Sequence, residues 1–253
     1  MRVGSSQTEI DPTGSGSGIA VISALAFELA VLNAEIGLLR GSTVSVYQSG
    51  PGHERAYDAA RAALAAGASA LMSWGIAGGL RRGISSGAII LPSQVKSSTG
   101  AAIGTDSHWR MLLHRSLQPT FEVHGGELYE SAVVLKTAEE KAAVLDATGA
   151  VAVDMESAAI AKAAAEAGRP FVAIRVVLDT IDDRLPVGID DWIDKWGNRK
   201  AVAAWTMLSS PRHWKNFVKL GLRYRSARAT LKGTSALLVP RNFLLSNVAD
   251  AED

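Results

Sequence analysis

A three-layer α/β/α sandwich is the fold this sequence predicts, and three observations carry the prediction. Short apolar, β-branched runs recur along the chain and alternate with alanine-rich segments of helical period, the pattern of strands separated by crossover helices. One run, Phe171–Leu178 (FVAIRVVL), is apolar at nearly every position, as a strand covered on both faces should be. Glycines and isolated carboxylates gather just past the ends of several runs, where an open α/β sheet collects its ligands.

The first strand is read in Ile19–Ala24 (IAVISA), and Phe27–Leu39 follows as a helix. Glu28 sits in its first turn, where an acid either complements the helix dipole or does chemistry. Thr43–Ser49 (TVSVYQS) alternates as a second strand, ends in Ser49-Gly50-Pro51-Gly52, and opens an alanine-rich helix over His53–Ala66. A Gly-rich strand-to-helix turn can aim backbone N–H groups at an anion. Ser69–Gly75 is the third strand, closed by Gly75-Ile76-Ala77-Gly78-Gly79-Leu80, whose spacing matches neither a dinucleotide fingerprint nor a Walker loop. Gly87–Pro92 reads as the fourth.

Residues 93–126 carry a weaker pattern, with one helix expected over Thr105–Leu117, capped by Thr105 or Asp106. Leu128–Leu135 reads as a strand and Thr137–Leu145 as a helix with its acids early. Val151–Val153 leads into Asp154-Met155-Glu156-Ser157 and an alanine-rich helix to Ala167, stopped by Gly168 and Pro170. Arg175 interrupts the last apolar strand and needs a partner, because burying a lone charge is costly; Asp179 is one candidate. Asp182, Asp183 and Arg184 follow and are expected at the surface.

Composition bounds the rest. The 253 residues are 47% hydrophobic and 20% charged, enough for one α/β domain or at most two. The expected division is a flexible leader over 1–17, the α/β domain over 18–189, basic helices over 190–235 and a tail over 236–253. There is no cysteine, hence no disulfide and no thiolate nucleophile or ligand, and the histidines lack metal-ligand spacing. A GxSxG nucleophile elbow is missing. No signal-like h-region opens the chain, and no apolar run approaches the roughly 20 residues of a membrane span; the expectation is a cytoplasmic protein. The net charge of +1 hides a segregation: residues 195–249 hold 11 Lys/Arg and no acid. Such a block points to an anionic surface.

That basic region reads as helical from Asp190 to Lys232, broken at Ser209-Ser210-Pro211. In its second helix Phe217, Leu220, Tyr224, Ala227 and Leu231 form one apolar stripe, beside Lys215, Lys219, Arg223, Arg225, Arg228 and Lys232. Two readings stand: a core-packing helix with a solvated basic face, or an interfacial helix lying on an anionic leaflet with Trp214 and Tyr224 at the interface.

Three motifs, GIAGGL at Gly75–Leu80, VDMESAAIA at Val153–Ala161 and RVVLDTID at Arg175–Asp182, together resemble the purine nucleoside phosphorylase/uridine phosphorylase superfamily over roughly residues 18–184. The Ile in GIAGGL, the DMES form, Asp183-Arg184-Leu185-Pro186 and the long basic C-terminal region look most like the hopanoid-associated phosphorylases, which act on adenosylhopane. The resemblance implies a mixed, twisted central sheet and no cofactor beyond inorganic phosphate as co-substrate. It further implies a homo-oligomer, and a lipid-linked or small adenine nucleoside rather than nucleic acid as partner. Carried over residue by residue, Glu156 matches the glutamate that grips the ribose hydroxyls, with Met155 against the sugar. Asp179 matches the acid that protonates N7 of the leaving purine. Glu28 matches the glutamate that activates water in methylthioadenosine/S-adenosylhomocysteine nucleosidases. Val133 and Val134 fall where those nucleosidases stack a Phe on the base, and a valine cannot stack as a phenyl does. Gly75, Ile76 and Ala77 fall on the substrate side of the glycine loop. Ile76 replaces a common Ser or Thr, and Ser73 stands where hexameric phosphorylases have a phosphate-binding Arg.

The chemistry suits those residue types. Breaking an N-glycosidic bond builds positive charge on the sugar, which a carboxylate stabilises, and negative charge on the base, which a general acid relieves. An Asp179 that serves as acid near neutrality needs a raised pKa, which a pairing with Arg175 would oppose; Arg175 is therefore expected to pair elsewhere, with Asp154. Phosphate as nucleophile would be held by Ser49, Gly50, Gly52, His53 or Arg81, and water would be activated by Glu28. The closer resemblance favours phosphate, releasing adenine from adenosylhopane. The alternatives are a methylthioadenosine/S-adenosylhomocysteine nucleosidase and a non-catalytic nucleoside-binding or membrane-surface module.

Overall fold

Three apolar runs build the centre of the sheet: β1 (Ile19–Ser23), β3 (Ala70–Gly79) and β10 (Phe171–Asp179), each buried along nearly its whole length. The structure is a computed structural model and describes residues 18–38, 43–99, 102–186, 188–189, 194, 198 and 214–245. β1 and β10 pair with β3 in parallel, and β2 (Val44–Gln48) adds in parallel outside β1. The last residues of β3 turn to a different neighbour: Gly78 and Gly79 pair antiparallel with β9 (Ala152–Asp154). Beyond β9 lie β8 (Glu127–Glu130), β5 (Gln94–Lys96) and β6 (Ala102–Gly104). Beyond β10 lie β4 (Ile89–Ile90), antiparallel to it, and β7 (Val123–His124). The result is a mixed, ten-stranded sheet.

Alternation along each strand sorts its residues between two cores. Val21, Met72, Trp74, Val172 and Ile174 face one side, where α1 (Ala26–Ile36), α3 (Ser107–Leu117) and α6 (Trp214–Leu238) supply Val31, Trp109 and Leu231. Ile22, Leu71, Ala173 and Val177 face the other, against Ala56, Ala60 and Ala63 of α2 (His53–Ala65) and the alanines of α5 (Ser157–Glu166). Small residues on both helices let α2 and α5 approach closely over the sheet. α4 (Ala138–Thr148) packs Val144 and Leu145 against Leu80 and Val153. The layers and the mixed sheet are those expected.

Several boundaries differ from expectation, each for a physical reason. The strand expected over Leu128–Leu135 stops at Glu130, where Ser131 turns the chain by exchanging hydrogen bonds with Val133 (Oγ to its carbonyl, 2.7 Å; its N–H to Oγ, 3.2 Å). Residues 132–136 become loop and line the cavity described below. Asp106, not Thr105, caps α3, its Oδ1 accepting from the Trp109 N–H at 2.7 Å. Residues 236–245, expected as tail, complete α6 and a 3-10 segment, Val239–Leu244. Phe243 is buried there, meeting Trp74 edge-on at 6.0 Å, and its carbonyl accepts from Trp109 Nε1 at 2.7 Å. Thr234 and Ser235 broke the apolar pattern, yet both are buried on α6, Ser235 bonding back to the Lys232 carbonyl. The leader over 1–17, the break at 209–211 and the side chains of Trp214, Lys215 and Phe217 lie outside the described residues.

Candidate active site

β3 and β10 end side by side, and the segments around them enclose a cavity of about 510 Å³. Glu28, Glu156 and Asp179, three carboxylates far apart in sequence, all reach its wall. Met155, Val133, Val134, Ile76 and Ala77 reach it as well, with Val133 at the exposed mouth. Gly75 lies outside the wall, and its missing side chain is required: a Cβ there would sit 2.5 Å from Glu28 Oε1 and 2.6 Å from Arg175 Nη1.

Glu28 stands in the first turn of α1 and also lines the cavity. Its Oε2 accepts from the Leu25 N–H and the Ser23 hydroxyl, each at 2.9 Å, so it does cap α1. Its Oε1 accepts from the Ile76 N–H at 2.8 Å, which ties the helix to the glycine segment, expected as a loop after Gly75 but carried on as strand β3 to Gly79 by its pairing with β10 and β9. Burial raises its pKa above the ordinary glutamate value, with Arg175 and these donors pulling the other way.

Arg175 stands beside Asp154 and Glu156. The strand alternation that sends Ala173 and Val177 toward α5 sends Arg175 the same way. Its Nε lies 2.7 Å from Asp154 Oδ2 and 3.1 Å from Ser157 Oγ, its Nη2 donates to Ser73 Oγ at 2.6 Å, and Glu156 Oε2 is 3.6 Å away. The expected pairing with Asp154 is present. Ser73 is part of that network, bonded to Ser157 at 2.9 Å. Glu156 also accepts from the Gly52 N–H at 3.0 Å, at the start of α2. Burial, then the neighbouring Asp154 and Glu28, push its pKa up to about 8 against the pull of Arg175 and the Gly52 amide. An empty cavity therefore favours the protonated acid, and hydroxyl groups donating to it favour the carboxylate.

Asp179 stands at the other end, across from Gly78, and carries a cation that sequence reading missed. Lys141 of α4 is fully buried and donates to Asp179 Oδ2, to the Thr180 carbonyl at 2.8 Å and to the Asp183 carbonyl at 3.2 Å. Burial raises the Asp179 pKa, and Lys141 restrains that rise. The available signal was a lysine on the apolar stripe of α4, three and four residues before Val144 and Leu145. Asp183, expected at the surface, is buried: its Oδ2 accepts from the Thr180 N–H and hydroxyl, each at 2.8 Å, and Lys219 and Arg223 of α6 close on it at 2.8 and 2.5 Å. Asp182 and Arg184 are exposed as expected.

The residues considered for phosphate do not assemble on the cavity wall. Ser49 is buried and donates to the Gly50 carbonyl at 2.7 Å. Gly52 gives its N–H to Glu156. His53 pairs with the buried Glu130 at 2.5 Å, and Arg81 is exposed. Of that loop, Pro51 alone lines the cavity. Among the described residues no group of three or more His, Asp and Glu side chains is placed to hold a metal ion.

The family model described as the phosphorylase superfamily matches residues 21–208. The chain belongs to the phosphorylase superfamily. Membership makes it an enzyme that cleaves nucleosides, and solved structures share this superfamily fold. A 5′-methylthioadenosine/S-adenosylhomocysteine nucleosidase from Neisseria meningitidis, in complex with methylthio-immucillin-A, superposes with a TM-score of 0.69 at 18% identity, covering 91% of this chain and 100% of that one. Futalosine hydrolase of Helicobacter pylori gives 0.63 at 16%, covering 92% and 98%. A nucleosidase from Colwellia psychrerythraea in complex with adenine gives 0.61 at 17%, covering 87% and 96%. No curated protein sequence matches the chain.

Proposed function

We propose that this phosphorylase-superfamily enzyme releases adenine from an adenine nucleoside carrying a bulky apolar 5′ substituent, with adenosylhopane as the candidate substrate. One observation carries the reading: Glu28, Glu156 and Asp179 converge on one cavity whose remaining wall is largely apolar, with Leu25, Leu178, Leu185 and Ile189 among its residues. Glu156 accepts the ribose hydroxyls and stabilises positive charge on the sugar. Asp179 donates its proton to N7 as the C1′–N9 bond breaks and the bonding pair leaves with the purine. The 5′ group extends along the apolar wall; the motifs resembling hopanoid-associated phosphorylases name its chemistry.

Water is the acceptor that the charge distribution favours. Both buried cations, Arg175 and Lys141, are already engaged by the chain's own carboxylates, and the Gly52 amide is given to Glu156. Glu28 takes a proton from water, whose oxygen bonds to C1′. Phosphorolysis is the second reading, favoured by the Ser49–Gly52 turn, which reaches the cavity through Pro51 and opens α2. The nearby nucleosidase folds support methylthioadenosine as the alternative substrate.

The test is adenine release from adenosylhopane and from methylthioadenosine, each with and without phosphate. Phosphate-independent release from adenosylhopane is expected. Release that needs phosphate moves the acceptor to phosphorolysis; release from methylthioadenosine alone overturns the substrate; no release from either overturns the reading. Asp179→Asn is expected to lower kcat by about 10²–10⁴-fold. A membrane surface and self-association belong to the same proposal. Val218 and Leu222 are exposed on α6 beside Arg225, Arg228 and Lys232. Co-sedimentation with anionic liposomes should occur and weaken with salt; light scattering reads the oligomer.

A further inference from the structure

Lys141 has no counterpart in the reasoning that located the three carboxylates. A lysine is almost never fully buried unless its charge is matched. Here all three ammonium hydrogens have acceptors, one a carboxylate and two carbonyls of the loop that follows β10. The arrangement ties α4, the Asp179 carboxylate and the 180–183 turn to a single atom, Nζ. The turn is held a second time from outside: Asp183 accepts from the Thr180 N–H and hydroxyl and from Lys219 and Arg223 of α6.

We propose that Lys141 is a positioning residue for Asp179, and that Asp183, anchored by α6, holds Lys141 in register, so that helix packing aims and poises the proton donor of the reaction. The proposal rests on the assignment of Asp179 as that donor. Lys141 touches no reacting atom in it. Its ammonium fixes the carboxylate's direction through the Oδ2 contact, and Oδ1 is the oxygen outside that contact. The charged groups acting on Asp179 are Lys141 from α4, Asp183 from its own loop and Arg223 from α6. They act in opposite senses. Lys141 and Arg223 favour the ionised carboxylate, and Asp183 favours the protonated acid. A general acid works best when its pKa lies near the working pH. Burial raises the Asp179 pKa, and the lysine pulls against that rise.

The opposition makes the idea testable in a way that a loss of fold cannot imitate. Adenine release from adenosylhopane and methylthioadenosine would be followed against pH for wild type, Lys141→Met, Lys141→Arg and Asp183→Asn, with thermal melts as the control on folding. Loss of activity at high pH reports deprotonation of the acid. Lys141→Met should move that alkaline limb up by about one unit or more, and lower kcat about tenfold while KM changes less. Asp183→Asn should move the limb down. Lys141→Arg, which keeps the charge, should leave it near the wild-type position. Limbs that stay put in both Lys141→Met and Asp183→Asn, or that move in the same direction, overturn the proposal. If Lys141→Met does not fold, Asp183→Asn decides alone: a downward shift supports it and an unmoved limb refutes it. Asp179→Asn separates the two levels. Wild-type turnover in that variant removes the acid assignment itself, whereas an inactive Asp179→Asn with unmoved limbs removes only the role of Lys141.

Discussion

The two ends of the cavity solve one problem in different ways. Each places a carboxylate out of water and each sets a buried cation behind it. At the Glu156 end the cation is Arg175, which comes from β10 itself and is shared among Asp154, Glu156, Ser73 and Ser157. At the Asp179 end it is Lys141, brought in by α4 from outside the motif and committed to one carboxylate and two carbonyls. An arginine with five N–H donors can serve several acids at once; a lysine acts as a point charge on one. The Glu156 end is thus a network and the Asp179 end a pair. A network resists change at any one member, and a pair ties the protonation of one acid to one cation, the condition that the proposed donor role of Asp179 requires.

The largest expected difference between the ends is in stability. Arg175→Met strands Asp154, Glu156 and Glu28 in a buried site without their cation and should cost about 3–5 kcal/mol, read by urea denaturation. Lys141→Met should cost less, because Asp179 alone must take up a proton. If the two variants reversed in rank, the contrast between network and pair would be broken.

A middle-sized effect concerns pH. Glu156 is pushed up to about 8, and burial raises Glu28 and Asp179 in the same direction. A carboxylate whose folded-state pKa is raised contributes stability below its ordinary value of roughly 4.5, and that contribution is lost as pH rises through the folded-state value. The melting temperature of the empty protein should therefore fall between about pH 5 and about pH 8. A bound nucleoside that donates its hydroxyls to Glu156 should reduce the fall. Melts with and without methylthioadenosine check both statements; a melting temperature that rises over this window would contradict the burial of these acids.

The smallest effect sharpens the Glu156 end. Gly52 has φ of +103° and ψ of 158°, a region kept almost wholly to glycine, and nothing lies within 4 Å of a Cβ placed there, so Gly52→Ala meets a backbone cost alone, about 1–3 kcal/mol. Its N–H holds Glu156 Oε1, and KM should rise a few-fold with little change in kcat.

Much of this molecule was legible from local pattern. Strand alternation sorts the cores, Arg175 announces its need for a partner by interrupting an apolar run, and Glu28, Glu156 and Asp179 stand out just past strand-like segments. Other parts were not legible. The polar Thr234 and Ser235 hid the continuation of α6 into the core, because their hydroxyls sit among packed helices. Asp183 looked like one more charge in an exposed Asp-Asp-Arg turn, and its burial depends on two cations that lie 36 and 40 residues further along the chain. The Gly50–Gly52 turn carries the shape of an anion site, and the group that Gly52's N–H meets is the carboxyl of Glu156 in the same chain.

Local pattern was enough for the layered fold, the family and the three carboxylates, because each is written in residues close together in the chain: periods of two and 3.6, and motifs within a few positions. Which cation stands behind which acid was settled by how the elements pack. Lys141 and Asp179 are 38 residues apart and Gly52 and Glu156 are 104, and no local period records a contact made when a helix settles against the end of a strand.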